Sequence, residues 1–306
     1  MFVSIGEALI DRIHTDSGTD INRVGGGPLN TALALAHFGD SSAFFGSVSC
    51  DEDGKRILEY FIDNFIIFDP QLCGSGKKSM ISEVSITKTS AQYNFIYKDT
   101  SVFDISSEKI LNAMKVHSEI DAIVSGSVFI TDDKSRSVLS EVVNVYSDKL
   151  FYLDLNIREN VISDMKSYLS KISPLIEKAN FVHASSEDLT KLNVKPDLFS
   201  KSYPCVLLYT DGDRLSSWYE SGKLICSRSV PKFAEFADSV GCGDIFNGAV
   251  LHYLKMKHMF HGRLEKEEIS ELLSLANTAA SLNTLKTGIA VPDWDEVINA
   301  EKKISI

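Results

Sequence analysis

The sequence predicts an α/β fold: a doubly wound, mostly parallel sheet with helices on both faces, plus a small antiparallel β lid. Two observations predict it. Short apolar β-rich runs alternate with helical patterns over most of the chain. That rhythm then breaks between Ser79 and Lys98, where two segments alternate in the period-two manner of half-exposed strands with no helix between them. No repeat, low-complexity tract or charged linker divides the 306 residues. One domain over 1–306 is expected, with a lid formed by about 12–24 and 72–100.

The elements follow in order. Phe2–Ile5 opens the sheet. Pro28–Phe38 reads as a helix, with Pro28 in its first turn and Gly39 at its stop. Thr31, Ala32, Ala34 and Ala36 are small enough to let that helix lie close to the sheet. Ala43–Val48 is a strand and Gly54–Phe65 a helix. The polar, non-helical segment Thr15–Val24 joins Ser79–Thr87 and Gln92–Lys98 in the lid. Strands at Ala122–Ser125, Leu150–Leu155, Phe181–His183 and Cys205–Thr210 alternate with helices at Asp132–Tyr146, Val161–Lys178 and Glu187–Leu192. A hairpin spans Arg214–Ser229. Two helices, Asp244–Lys257 and Lys266–Leu285, close the chain; in the first, Ile245, Phe246, Ala249, Val250, Tyr253 and Leu254 form one apolar face.

Composition excludes several classes. A net charge of -11 and a pI near 5.1 argue against a nucleic-acid or anionic-membrane surface. An anionic substrate is still allowed, because helix N-termini supply positive potential without Lys or Arg. The run Met1–Gly6 is too short for a signal peptide, and no stretch approaches the ~18 apolar residues of a membrane span. Five cysteines without a CxxC pair read as reduced thiols in a cytoplasmic protein.

The most informative stretch is Asp238-Ser239-Val240-Gly241-Cys242-Gly243-Asp244, directly before an apolar helix. Glycines ahead of a helix leave backbone N–H groups bare, which makes an anion seat. A carboxylate at the same turn would be a base aimed at that seat, as phosphoryl transfer onto a hydroxyl requires. The plainer reading is a glycine turn with Asp244 as a helix cap. A second stretch, Gly25-Gly26-Gly27-Pro28-Leu29-Asn30, also enters a helix. It departs from a dinucleotide fingerprint, since Asn30 replaces the third glycine and no strand leads directly into it.

With Phe246-Asn247-Gly248-Ala249 behind it, the first stretch resembles the signature of the ribokinase-like (PfkB) carbohydrate kinases, Ser239 and Cys242 replacing the usual Thr and Ala. Gly25 to Gly39 resembles that family's N-terminal signature, and Gly6-Glu7-Ala8-Leu9-Ile10-Asp11 looks most like its fructokinase and 2-keto-3-deoxygluconate kinase branch. The resemblance runs from Phe2 to about Val297. It implies an ATP-dependent sugar kinase in which Asp244 is the base and the amides of Gly241, Cys242 and Gly243 form the anion hole. Asp11, Gly25, Gly26 and Asn30 would hold sugar hydroxyls, with Tyr93 and Phe95 of the lid beside them. Asp154-Leu155-Asn156-Ile157-Arg158 matches the branch's Asp-x-Asn-x-Arg, placing Asn156 at the sugar and Arg158 at sugar or phosphoryl group.

Nucleotide contacts implied by the resemblance are Ser185, Thr210, Gly212 and Asn277, besides Gly241 and Gly243. Asp188 stands where relatives carry Glu in Asn-x-x-Glu and would act on Mg²⁺ through water; Asp238 matches a monovalent-cation region, which admits K⁺. The expected partners are a sugar and ATP, and the lid's strand edges permit a homodimer. A nucleoside kinase of the same fold and a catalytically silent sugar-binding sensor are the alternatives. Gly74–Ser79 resembles part of a Walker A loop but precedes a strand pattern, and His258 and His261 read as surface residues.

Overall fold

The computed structural model describes residues 1–14, 20–86, 91–117, 119–260 and 264–304, without the side chains at 20, 85, 86 and 91–93. Among them the chain runs β1 (Phe2–Ile5), β2 (Leu9–His14), β3 (Asp20–Gly25), α1 (Gly27–His37), β4 (Ser42–Phe44), β5 (Val48–Ser49) and α2 (Glu52–Asp63). Then come β6 (Cys73–Ser75), β7 (Met80–Ile86), β8 (Ala91–Ile96), α3 (Ser107–Lys115), β9 (Ala122–Gly126), α4 (Asp133–Val145), β10 (Leu150–Asp154) and α5 (Met165–Ile176). The last part is β11 (Phe181–Ser185), α6 (Ser186–Lys191), α7 (Pro196–Ser202), β12 (Val206–Asp211), β13 (Leu215–Glu220), β14 (Lys223–Ser229), α8 (Cys242–Met256), α9 (Lys266–Asn283) and α10 (Trp294–Ile304).

Alternation inside the central strands decides which helices cover which face. Phe2, Val124, Tyr152, Phe181 and Leu208 share one core with α1, α8, α9 and Val297 of α10. Val3, Ile5, Ile123, Phe151, Leu153, Val182 and Leu207 point the other way, into a core with α3, α4, α5 and Phe199 of α7. With both faces covered, the strands read as near-continuous apolar runs. The sheet order is β14-β13-β12-β11-β10-β9-β1-β4. Its strands from β12 to β4 are parallel, and the β13–β14 hairpin joins antiparallel at the edge. The chain leaves β1 toward β4 on one side and later returns to β9 on the other, so the carboxyl ends of β1 and β9 flank a topological switch point.

The smaller sheet has the order β3-β2-β7-β8. Its outer pairs are antiparallel, whereas the central pair β2–β7 runs parallel, because β7 arrives by a long connection through α2 rather than by a hairpin.

Several boundaries differ from the sequence reading. Helix α2 begins at Glu52 because Asp51 caps it, its Oδ1 accepting the Gly54 amide at 2.8 Å. The stretch Ala43–Val48 is two short strands in different sheets, β4 and β5, separated near Gly46. Helices α3 and α7 were not anticipated. A third helix, α10, closes the chain beyond the two expected; Val297 is its one buried residue, which leaves little apolar periodicity to read. His258 is exposed, as expected, while His261 lies outside the described residues.

Helices α1 and α8 cross at Gly248. A β-carbon there would stand 2.6 Å from the Ala34 β-carbon. Gly248→Ala is therefore expected to destabilise the fold by about 1–3 kcal/mol through overpacking. A lowered urea midpoint at unchanged m-value would show it; an unshifted midpoint would refute the close approach.

Candidate active site

At the start of α8, Gly241 is the N-cap residue, with φ of +77°. That left-handed conformation suits glycine, and Ile289 leaves no room for a side chain, its Cδ1 lying 2.9 Å from the added β-carbon. The amide of Cys242 donates to the Ser239 carbonyl at 3.3 Å, so one of the three expected anion-hole groups is already engaged. Those of Gly241 and Gly243 have no backbone acceptor among the described residues.

Asp244 sits in the first turn of α8 and is 6% exposed. One of its oxygens, Oδ2, accepts from Asn30 Nδ2 at 2.8 Å, bridging residues 214 apart in sequence. Burial, and next the negative charge of Asp154, push its carboxyl up to about 8, against the pull of the Asn30 bond and the Arg158 charge. A carboxylate in that condition is a stronger proton acceptor than a surface aspartate.

Helix α1 delivers Asn30 to this point. Its N-cap, Gly26, has φ of +124°, and a β-carbon there would meet the Glu7 carbonyl at 2.3 Å. The side chain of Glu7, 1% exposed, accepts the Gly27 amide at 3.3 Å and the Phe129 amide at 3.1 Å, pinning the ends of β1, α1 and β9 together. Burial nevertheless outweighs these bonds and lifts its carboxyl to about 7. Since the Asn30 amide nitrogen donates to Asp244, its carbonyl oxygen faces elsewhere; that Oδ1 is buried and has no partner among the described residues.

Beneath Asp244 lies a buried polar chain. Tyr152 donates to Asn247 Oδ1 at 2.7 Å, Asn247 Nδ2 donates to Asp154 Oδ2 at 3.0 Å, and Asp154 Oδ1 lies 2.7 Å from His183 Nδ1. His183 Nε2 in turn lies 3.0 Å from Thr210 Oγ1. Burial opposes charge on His183, but Asp154 outweighs it and the imidazole pKa is raised. Asp11, on β2, has its carboxyl raised by burial, with the charges of Arg158 and Arg23 opposing.

One cleft of ≈ 840 Å³ at the carboxyl ends of the strands gathers most residues singled out from the sequence. Asp11, Gly26, Asn30, Phe95, Asn156, Arg158 and Asp244 line it, as do Ser185, Asp188, Thr210, Gly212, Asn277 and the turn Gly241–Gly243. Three do not. Gly25 lies behind Asp11, where a β-carbon would be 2.4 Å from Asp11 Oδ2. The Tyr93 side chain lies outside the described residues. Asp238 accepts the amides of Val240 at 3.0 Å and Gly288 at 2.6 Å, fastening the glycine turn to the loop after α9 instead of facing the cleft.

Two other residues carry structural bonds. Asp188 Oδ2 accepts the amide and hydroxyl of Ser185, and Oδ1 accepts the Ile157 amide at 2.7 Å, so it caps α6 and holds the loop after β10. Asn277 donates to the carbonyls of Arg228 and Ser229, tying α9 to β14. Glu7, His183 and Asn247 were given no role from the sequence, and Asp154 only as part of a motif. No local spacing marks them, though a titratable residue in the carboxyl-terminal part of a central parallel strand, as Asp154 at the end of β10 and His183 two residues before the end of β11 are, was a usable signal.

Residues 1–296 match the pfkB family of carbohydrate kinases. Fructokinase-1 from Oryza sativa subsp. japonica is 24% identical over 309 residues, covering 95% of this chain and 94% of the relative. The fructokinase of Rhizobium leguminosarum bv. trifolii is 25% identical over 285 residues, covering 89% and 84%. Among solved structures, fructokinase with bound ATP from Xylella fastidiosa superposes with a TM-score of 0.88 at 22% identity, covering 100% of this chain and 99% of that one. A fructokinase double mutant from Vibrio cholerae O395, bound to fructose, ADP and potassium ion, gives 0.83 at 21% identity, covering 97% of each. From the match over nearly its full length, the chain belongs to the pfkB family and is an ATP-dependent carbohydrate kinase.

Proposed function

We propose that the enzyme phosphorylates a hydroxyl of a ketohexose-like sugar, with Asp244 as base and the amides at the start of α8 as the anion hole. The observation that carries this reading is the Asn30–Asp244 pair: a buried carboxylate beside an unpartnered amide oxygen, at the mouth of a helix N-terminus. A sugar hydroxyl donating to Asn30 Oδ1 would satisfy that oxygen and present a neighbouring alcohol to Asp244.

In the transfer, Asp244 takes the hydroxyl proton, the sugar oxygen bonds to the γ-phosphorus, and the bond from that phosphorus to its bridging oxygen breaks, the electron pair leaving with ADP. The amides of Gly241 and Gly243 face the equatorial oxygens, where charge accumulates. Arg158 adds positive charge on the sugar side, and Asp11 accepts hydroxyls from the smaller sheet, which we read as the lid.

The donors fit a hydrated magnesium ion, which takes most of its ligands from water and phosphate. Asp188 keeps a lone pair on Oδ1 beyond the Ile157 amide, and Glu187 stands exposed at the rim. Bound there, Mg²⁺ would neutralise charge on the phosphates. For a monovalent cation, Asp238 would act through the loops it fastens rather than from the cleft. Free thiols at Cys50, Cys73, Cys205, Cys226 and Cys242 support placement in the cytoplasm, and no helix among the described residues is long and apolar enough to cross a membrane.

The fructokinase relatives favour fructose as acceptor. A coupled ADP-release screen over ketohexoses, ribose, 2-keto-3-deoxygluconate and nucleosides tests this. The highest kcat/KM is expected for a ketohexose; a nucleoside outrunning every sugar would overturn it.

A further inference from the structure

The Thr210 hydroxyl is the last link of the buried chain, and the resemblance assigns Thr210 to the nucleotide. Its oxygen lies 3.0 Å from His183 Nε2, and Thr210 is half-buried at the cleft wall. Asp154 Oδ1, an acceptor, fixes a proton on His183 Nδ1. Two states of the ring remain. A neutral ring accepts the Thr210 proton at Nε2, leaving only lone pairs of the hydroxyl toward the cleft. A cationic ring donates from Nε2 to Thr210 and frees the hydroxyl proton to point at a ligand. Phosphate oxygens are acceptors, so only the second arrangement gives them an additional donor.

We propose that His183, clamped by Asp154, is the positioning residue that turns the Thr210 hydroxyl into a hydrogen-bond donor for the nucleotide phosphates. The surroundings of the ring favour its charged state. Asp154 faces it from β10 and Asp188 from α6. Asp244 of α8 adds negative charge only once it has lost its proton, and uncharged Thr210 on β12 and the Phe246 ring 5.5 Å away on α8 complete the surroundings. The raised pKa of the ring agrees with that arrangement. At 4% exposure the ring has little water to supply an alternative partner. It also lies under the glycine turn, where a β-carbon on Gly243 would be 3.7 Å from His183 Cε1, so its charge sits below the proposed anion hole. This inference rests on reading the cleft as the kinase site.

Calorimetric ATP binding to the full chain, with KM for ATP and for sugar, tests it in a double-mutant cycle. His183→Asn keeps a donor for Asp154 but loses contact with Thr210; Thr210→Val removes the hydroxyl at constant shape. Each is expected to weaken ATP binding about tenfold, the value of one hydrogen bond to a charged group, with KM for sugar changing less than twofold. The double variant should lose no more than either single one. Thr210→Ser should restore most of the affinity. Affinity for ATP should fall as pH rises through the raised pKa of His183. Because Asp244 titrates in the same range, this is read in the Asp244→Asn background, where adding His183→Asn should remove the dependence that is left.

Additive losses, or a pH dependence in the Asp244→Asn background that His183→Asn leaves unchanged, would overturn the assignment. If His183→Asn does not fold, Thr210→Val decides alone: in the Asp244→Asn background it should remove the pH dependence of ATP affinity, and an unchanged dependence would overturn the assignment. A wild type that binds no ATP overturns the kinase reading as well, which separates the two failures.

Discussion

Asp244→Ala should lower kcat by about 10²-fold or more while KM for the sugar changes little. The carboxylate is the one acidic group in the first turn of α8, directly beside the Gly241 and Gly243 amides. Its removal takes away proton acceptance, an interaction that develops along the reaction, whereas the proposed sugar contacts Asp11, Gly26, Asn156 and Arg158 remain. Steady-state kinetics decide it. A variant retaining more than a tenth of the wild-type kcat would remove Asp244 from the role of base.

The pH profile should be nearly as strong. With its carboxyl held up to about 8, Asp244 is mostly protonated at neutral pH in the unliganded enzyme. At saturating ATP, kcat/KM for the sugar should therefore rise about tenfold per pH unit below ~8 and level off above it. A flat profile from pH 6 to 9 would contradict this. The same shift costs stability. Because the folded state holds a proton up to about 8 and the free side chain only to 3.8, the folded state binds more protons in that window, and stability falls as pH rises through it. Asp244→Asn, neutral and still able to accept from Asn30, should raise Tm at pH 8 by a few degrees, at ~2–4 °C per kcal/mol. It should also abolish the sigmoid in activity.

Central strands β1 and β9 to β12 were legible because two covered faces demand continuous apolar runs, and a continuous run is visible without knowing its neighbours. The glycine turn and Asn30 were legible because their chemistry is local: a left-handed N-cap, bare amides and a carboxylate within four residues. What escaped depends on distant partners. Strand β2 begins buried at Leu9 and ends half-exposed, so no single period describes it. Helix α10 buries only Val297. The His183–Asp154–Asn247–Tyr152 chain joins residues 29 to 95 apart, and no spacing encodes it. Asp238 was recognised as part of the turn, but where its carboxylate points is set by Gly288, fifty residues on.

Three residues, Gly6 to Ala8, connect the two sheets, and Glu7 among them is bolted to the larger one by the Gly27 and Phe129 amides. Any swing of the smaller sheet must pivot just beyond that fixed leaf. Asp11 lies close to the pivot and would travel little, while the far ends of β2 and β7 sweep the widest arc. Should the smaller sheet move as the proposed lid, so short a lever arm would keep Asp11, the proposed grip on the acceptor, in register.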